Sequence, residues 1–242
     1  MSKLDILRAI PEPSNNDKIN KKIKSPLLKL PFSMLVCGSV AAGKSNLLVN
    51  MILRDEFYFN HFSKIIIISP TVNNDRSYYA LRKYIQNKTE NDDDDEPQKF
   101  EVFADNLTGK RIDEIVEGIL DIKMDESEKE NWLIVYDDIL GLLNKHGFST
   151  ALFSRFRHYN ISLITMVQNF KAVSPVLRNN ISGLILFRPK NQKEKTKILN
   201  ECDNILVDFE DKWDGATIKP FNFLYINMQS DPVGFQNFTK KI

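Results

Sequence analysis

Gly38-Ser39-Val40-Ala41-Ala42-Gly43-Lys44-Ser45 directly follows a strand-like run, Phe32 to Cys37, and opens a helix-like run, Asn46 to Arg54. Two glycines, a lysine and a hydroxyl at this spacing form a phosphate-binding loop when a strand precedes and a helix follows. Gly38 and Gly43 let the backbone turn its N–H groups toward an anion, and the helix N-terminus adds partial positive charge. Lys44 is expected to reach the outer phosphates of ATP, and Ser45 to ligate Mg2+. The alternative, a glycine-containing turn with no ligand, leaves the flanking strand and helix unexplained.

Further strand-like runs follow the first: Lys64 to Ser69, Phe100 to Phe103, Trp132 to Tyr136, Ile161 to Val167, Gly183 to Phe187 and Phe223 to Asn227. Ile65-Ile66-Ile67-Ile68 and Leu133-Ile134-Val135 are continuously apolar, as central strands covered on both faces must be. The segments between them, such as Arg111 to Ile122 and Gln192 to Cys202, have helical character. The expected fold class is α/β, with a mostly parallel central sheet and helices on both faces.

The expected organisation is a basic arm over 1–30, a P-loop domain over 31–212 and a C-terminal extension over 213–242. The arm carries Lys18, Lys21, Lys22, Lys24 and Lys29. It reads as a solvated leader, a strap onto a neighbouring subunit, or a phosphate-contacting segment. The extension reads as an added edge strand or a subunit contact. Asp92 to Asp95 lie in a polar run expected to be an exposed loop.

A chain of 242 residues can bury a large core, and 33 basic against 32 acidic residues leave a net charge of +1. Such a balance neither requires nor excludes nucleic acid as a partner, so local patches must decide. The two cysteines, Cys37 and Cys202, lie far apart without metal-ligand spacing, which suggests a reducing compartment. No apolar run approaches the ~20 residues that span a bilayer. A soluble, intracellular protein with no membrane partner is expected.

A phosphate-binding loop alone does not hydrolyse anything. Trp132 to Tyr136 runs straight into Asp137-Asp138, which places two carboxylates at the end of a central strand, the edge where α/β sheets bind ligands. Asp137 would hold Mg2+ together with Ser45, and Asp138 would polarise the attacking water. Ile161 to Val167 ends in Gln168-Asn169. In P-loop ATPases that insert a strand between the P-loop strand and the Asp strand, a polar residue at the end of that strand senses the γ-phosphate, and Gln168 would fit that role.

Gly38 to Ser45, Leu133-Ile134-Val135-Tyr136-Asp137-Asp138, Arg157-His158-Tyr159-Asn160-Ile161-Ser162 and Gln168-Asn169 together resemble the FtsK–HerA superfamily of DNA-pumping ATPases. Arg157 to Ser162 and Gln168 to Asn180 are similar to the poxvirus-type genome-packaging ATPases of large DNA viruses, virophages and related elements. Many superfamily members carry Asp-Glu where this chain has Asp137-Asp138, and the shorter side chain sits further from the water.

The resemblance implies a RecA-like P-loop ATPase fold and an ATP-hydrolysing, Mg2+-dependent translocase of double-stranded DNA that packages a viral genome into a capsid. It also implies self-association into a ring, expected as a hexamer, acting in the host cytoplasm or viral factory, or in the virion. Ring-shaped members complete each ATP site with an arginine from the next subunit. Arg157 is the lead candidate for this finger, with Arg155, Arg178 and Arg188 as alternatives. On an ideal helix Arg155 and Arg157 would lie roughly 160° apart, flanking a buried stripe of Leu152, Phe153, Phe156 and Tyr159. Sequence-independent DNA contact is expected from Lys171, Arg178 and the run Arg188 to Lys197, with five positive charges in ten residues. The rivals are a cellular FtsK–HerA-type DNA-translocating ATPase, a P-loop kinase of a small-molecule acceptor, and a non-catalytic nucleotide-dependent module.

Overall fold

The computed structural model describes residues 15–91, 98–125 and 130–242. The acidic run Asp92 to Asp95 lies outside the described residues. Along the chain the elements are α1 (Asn15–Asn20), β1 (Ser33–Cys37), α2 (Lys44–Leu53), β2 (Lys64–Ile68), α3 (Tyr79–Asn91), β3 (Lys99–Phe103), α4 (Gly109–Asp125) and β4 (Trp132–Asp137). Then come α5 (Phe148–Arg155), β5 (Ile161–Val167), α6 (Pro175–Asn179), β6 (Gly183–Phe187), α7 (Gln192–Cys202), α8 (Phe209–Ala216), β7 (Phe223–Asn227), β8 (Val233–Gln236) and β9 (Lys240–Lys241).

These strands form one sheet in the order β3-β2-β4-β5-β1-β6-β7-β8-β9. The pairings from β3 to β6 are parallel, and those from β6 to β9 are antiparallel. Side chains alternate between two cores because successive strand residues point to opposite faces. Leu35, Ile66 and Ile68 face a layer built from α4 to α8, whereas Met34, Ile65 and Ile67 face α2, α3 and the chain before β1. Continuous apolar strands follow from this two-sided burial.

The sheet carries two strands beyond the seven expected. Strand β8 is short and only partly buried and β9 is two exposed lysines, so neither presents an apolar run that marks a strand. Helix α5 also departs from expectation: it ends at Arg155, and Phe156–Tyr159 continue as a 3-10 turn. At about three residues per turn, the angular separation expected for Arg155 and Arg157 does not hold. Leu152, Phe153 and Phe156 are buried as expected, Tyr159 packs against the same core, and both arginines are exposed.

The described part of the segment expected as a basic arm is docked. Its lysines point outward, while Ile23, Leu27, Leu28 and Leu30 are buried. Asn20 clasps Leu30 through paired side-chain bonds of 2.7 and 2.9 Å, and Tyr58 donates to the Leu28 carbonyl at 3.0 Å. The Tyr225 hydroxyl and the Asn227 amide of β7 both donate to the Pro26 carbonyl, at 2.9 and 3.0 Å. Gln229 exchanges two bonds with the Lys29 backbone, at 2.6 and 2.7 Å. The two ends of the described chain therefore hold each other against the sheet.

Leu28 is fully buried in this junction. Leu28→Ala is expected to lower the unfolding free energy by about 2–5 kcal/mol in urea denaturation. A change within about 0.5 kcal/mol is what a solvated leader would give.

Candidate functional site

Strand β5 lies between β1 and β4, with Cys37 opposite Val167 and Asp137 opposite Met166. The Gly38 N–H donates to the Val167 carbonyl at 3.1 Å, and the Asp138 N–H donates to the Met166 carbonyl at 3.1 Å. Three chain exits are thereby held side by side on one edge: the Gly38–Ser45 loop, Asp137-Asp138 and Gln168-Asn169.

The loop geometry explains its composition. Gly43 has φ 104°, where an L side chain is strained, and Ala41 also adopts a left-handed φ of 63°. A Cβ on Gly38 would lie 2.9 Å from the Phe187 Cβ, so only glycine lets the loop lie against β6. Helix α2 begins at Lys44, directing its first N–H groups into the loop. The Lys44 ammonium donates to the carbonyls of Gly38 at 2.7 Å and Ser39 at 3.1 Å. Burial lowers the Lys44 pKa, opposed by the negative charges of Asp137 and Asp138.

Asp137 is buried, and one carboxylate oxygen, Oδ2, accepts from the Tyr78 hydroxyl at 2.7 Å and the Ser69 hydroxyl at 2.9 Å. Burial raises its pKa, and the two hydroxyl donors pull it back down. Asp138 is exposed at φ 55°, a conformation that aspartate tolerates better than most residues. Its Oδ2 accepts from the Gln168 amide at 2.6 Å. The Asn169 side chain turns back to accept from the Lys171 N–H at 2.9 Å, capping the 3-10 turn Phe170–Ala172. Cys37 faces the neighbouring core, and burial pushes its thiol up to about 12, so it is no thiolate at neutral pH.

Ser69, Asp75 and Tyr78 were not anticipated from sequence. Ser69 ends the β2 run, Asp75 caps the 3-10 turn Arg76–Tyr78, and Tyr78 reaches Asp137 from that turn. The Ser45 hydroxyl lies 3.4 Å from Asp75 Oδ2. The available signal was Ser69, a hydroxyl at the end of an apolar strand; Asp75 and Tyr78 arrive through a tertiary contact. The Ser45 hydroxyl and the carboxylates of Asp137 and Asp75 are hard oxygen donors, the type that suits Mg2+. Among the described residues no group of three or more His, Cys, Asp or Glu is arranged to hold a metal by itself.

The candidate arginines separate. Arg157 lies four residues before β5 begins, at the opposite end of the sheet from the loop. Arg155 is at that end too. Arg178 pairs with Glu201 at 2.7 Å. Arg188 follows β6 on the loop's own edge, exposed beside Val40 and Lys190. Within the expected DNA-contacting run, Lys195 bridges Glu210 and Asp214 at 2.7 Å each, and Lys197 lies 3.4 Å from Glu194. Lys195 thus joins α7 to α8, whereas Lys197 pairs within α7, and neither partnership was expected from sequence. Lys171, Arg188, Lys190 and Lys193 remain exposed. Among the described residues no helix is long and apolar enough to cross a membrane.

The family model described as Poxvirus A32 protein matches residues 20–205. The DNA packaging protein OPG160 of Variola virus is 23% identical over 165 residues, covering 68% of this chain and 56% of that protein. Its Monkeypox virus counterpart is 24% identical over 161 residues, covering 66% and 49%. The chain thus spans about half the length of these curated relatives. Among solved structures, the genome packaging NTPase B204 of Sulfolobus turreted icosahedral virus 2 superposes with a TM-score of 0.59 at 15% identity, covering 86% of this chain and 96% of that one. The pCW3 conjugation coupling protein TcpA superposes at 0.54 with 16% identity, covering 86% and 60%. The chain therefore shares the P-loop ATPase fold of these proteins.

Tyr78 adds a hydroxyl donor to the buried Asp137 carboxylate. Tyr78→Phe removes a donor to a buried carboxylate and is expected to cost about 1–3 kcal/mol of stability. Calorimetric titration with nucleotide should show the Mg2+-dependent part of the affinity weakened and the Mg2+-free part retained. An unchanged Mg2+ dependence would show that Tyr78 only packs.

Proposed function

The chain belongs to the poxvirus A32 protein family, and from that premise we propose that it is an ATP-hydrolysing motor that translocates double-stranded DNA into a viral capsid. The observation that carries this is the Asp138–Gln168 contact of 2.6 Å on the edge where the Gly38–Ser45 loop opens. A binding loop needs no such pair, whereas hydrolysis needs a water held and polarised beside the γ-phosphate.

In this mechanism the loop N–H groups and Lys44 cradle the phosphates. Asp138 accepts the proton of the attacking water, and Gln168 fixes the carboxylate and the water in line. Ser45 and Asp137 would hold Mg2+, which when bound neutralises charge on the phosphate oxygens. Asp137 is kept in place by Tyr78 and Ser69 and need not move.

Charge stabilisation of the transferring phosphoryl group is assigned to Arg157 of a neighbouring copy in a ring, proposed as a hexamer. Double-stranded DNA is the proposed polymer partner, held without sequence preference by exposed lysines and arginines such as Lys171, Lys190 and Lys193. Names of the relatives support the DNA and packaging roles: two are DNA packaging proteins and one is a genome packaging NTPase.

Phosphate release with and without double-stranded DNA tests the proposal. DNA stimulation is expected in the native chain. Lys44→Ala is expected to abolish turnover, and Asp138→Asn to reduce it on the order of 10²–10⁴-fold. ADP formation that depends on a small-molecule acceptor would instead identify a kinase. In mixed oligomers, Arg157→Ala subunits should poison native partners more strongly than Arg155→Ala subunits; equal poisoning overturns the finger assignment.

A further inference from the structure

The loop connecting α8 to β7, residues 217–222, lies beside the phosphate-binding loop. Val40, Ala42, Phe187, Ile218, Pro220 and Phe221 line one cleft between them. Val40 is 60% exposed, and Ile218 and Phe221 are each 69% exposed. Three large apolar side chains thus face solvent in a single cleft, which packing of the chain does not explain.

This loop is held firmly rather than loosely. The Thr217 hydroxyl donates to the Trp213 carbonyl at 2.8 Å, and the Asn222 N–H donates to the Lys219 carbonyl at 3.2 Å. The Asn237 amide donates to the Asn222 side chain at 2.8 Å. Phe221 itself adopts φ 65°, a conformation strained for an aromatic residue. The strained backbone sets the ring over the phosphate loop: a Cβ on Gly43 would lie 3.3 Å from Phe221 Cδ1. The fold therefore spends conformational energy to keep an aromatic face exposed at the rim of the nucleotide site.

We infer that this cleft is the nucleobase site, with Phe221 stacking on the base and Ile218 and Val40 closing the slot. The inference rests on the proposed ATP-binding role and adds the residues that hold the base. Continuity selects the occupant: Ser39, Val40, Ala41 and Ala42 belong to both the phosphate loop and this cleft, so a nucleotide bound by its phosphates brings its base within reach. Arg188, Lys190 and Lys219 line the same cleft and supply positive charge for a polyanion. An aromatic ring offers its face to any base, so the slot adds affinity with little discrimination between adenine and guanine.

The test compares ATP, GTP and inorganic tripolyphosphate on the full chain by calorimetry. Phe221→Asn removes the ring while keeping a residue that accepts positive φ, so the exposed loop keeps its backbone. Expected is a loss of ATP and GTP affinity on the order of 5- to 150-fold, with tripolyphosphate affinity unchanged. Phe221→Trp should restore both nucleotides, and its indole emission should change with ATP but not with tripolyphosphate. Unchanged ATP affinity in Phe221→Asn overturns the inference, as does an equal loss for tripolyphosphate. A change of oligomeric state with ATP affinity intact would assign the cleft to a neighbouring copy instead. Failure of the ATPase proposal looks different: the native chain would bind neither ATP nor tripolyphosphate, and Lys44→Ala would alter nothing.

Discussion

Strand β5 is hydrogen-bonded along both edges, to β1 with Ser33 opposite Leu163 and to β4 with Trp132 opposite Ile161. A slip of one residue would turn every side chain of the strand to the wrong face. Both faces are buried here, so two separate cores enforce one register. With the register fixed, three strands end level. Gly38, Asp138 and Gln168 then emerge as neighbours from segments distant in sequence. The candidate site is thus a consequence of how the sheet is packed, and the loops add only the turn chemistry.

The same packing creates an electrostatic cost. Burial pushes Lys44 and Asp137 each toward neutrality, and different neighbours oppose it. For Lys44 the opposition comes from the negative charges of Asp137 and Asp138. For Asp137 it comes chiefly from the Tyr78 and Ser69 hydroxyls, with Lys44 adding less. The lysine ammonium is instead occupied with the loop carbonyls of Gly38 and Ser39. An ammonium held by weak neutral acceptors is available to a stronger anion, whereas a carboxylate held by two hydroxyls stays where it is. In the proposed mechanism that asymmetry makes Lys44 the responsive partner and Asp137 the fixed one.

Much of this was legible in the sequence because it rests on local patterns. Seven strands showed as apolar runs, and the loop and the aspartate pair sat at strand ends where α/β sheets place ligands. What was not legible depends on tertiary contact. Tyr78 bonds Asp137 across 59 positions of chain, and no local spacing announces it. Lys195 looked like a DNA-facing charge until α8 brought Glu210 and Asp214 against it. The lysines before β1 suggested solvation, yet the apolar residues among them decide the docking. Strands β8 and β9 were missed because short, weakly buried strands near a sheet edge need no apolar run. The end of α5 at Arg155 was missed because a 3-10 turn preserves the apolar spacing of the helix it extends.

Strand length separates the candidate arginines by what they can reach. Strand β5 runs from Ile161 to Val167, and at ~3.3 Å per residue its two ends stand roughly 20 Å apart. Arg155 and Arg157 precede one end, and the phosphate loop opens at the other. No side chain bridges that distance, so neither arginine can serve the site of its own chain. Arg188 stands on the loop's edge and can act within one chain. A contribution from Arg188 would therefore survive dilution to monomers, while one from Arg157 requires that the far edge of one copy meet the loop of the next. If the proposed Arg157 finger operates, the catalytic unit is therefore an interface between two copies.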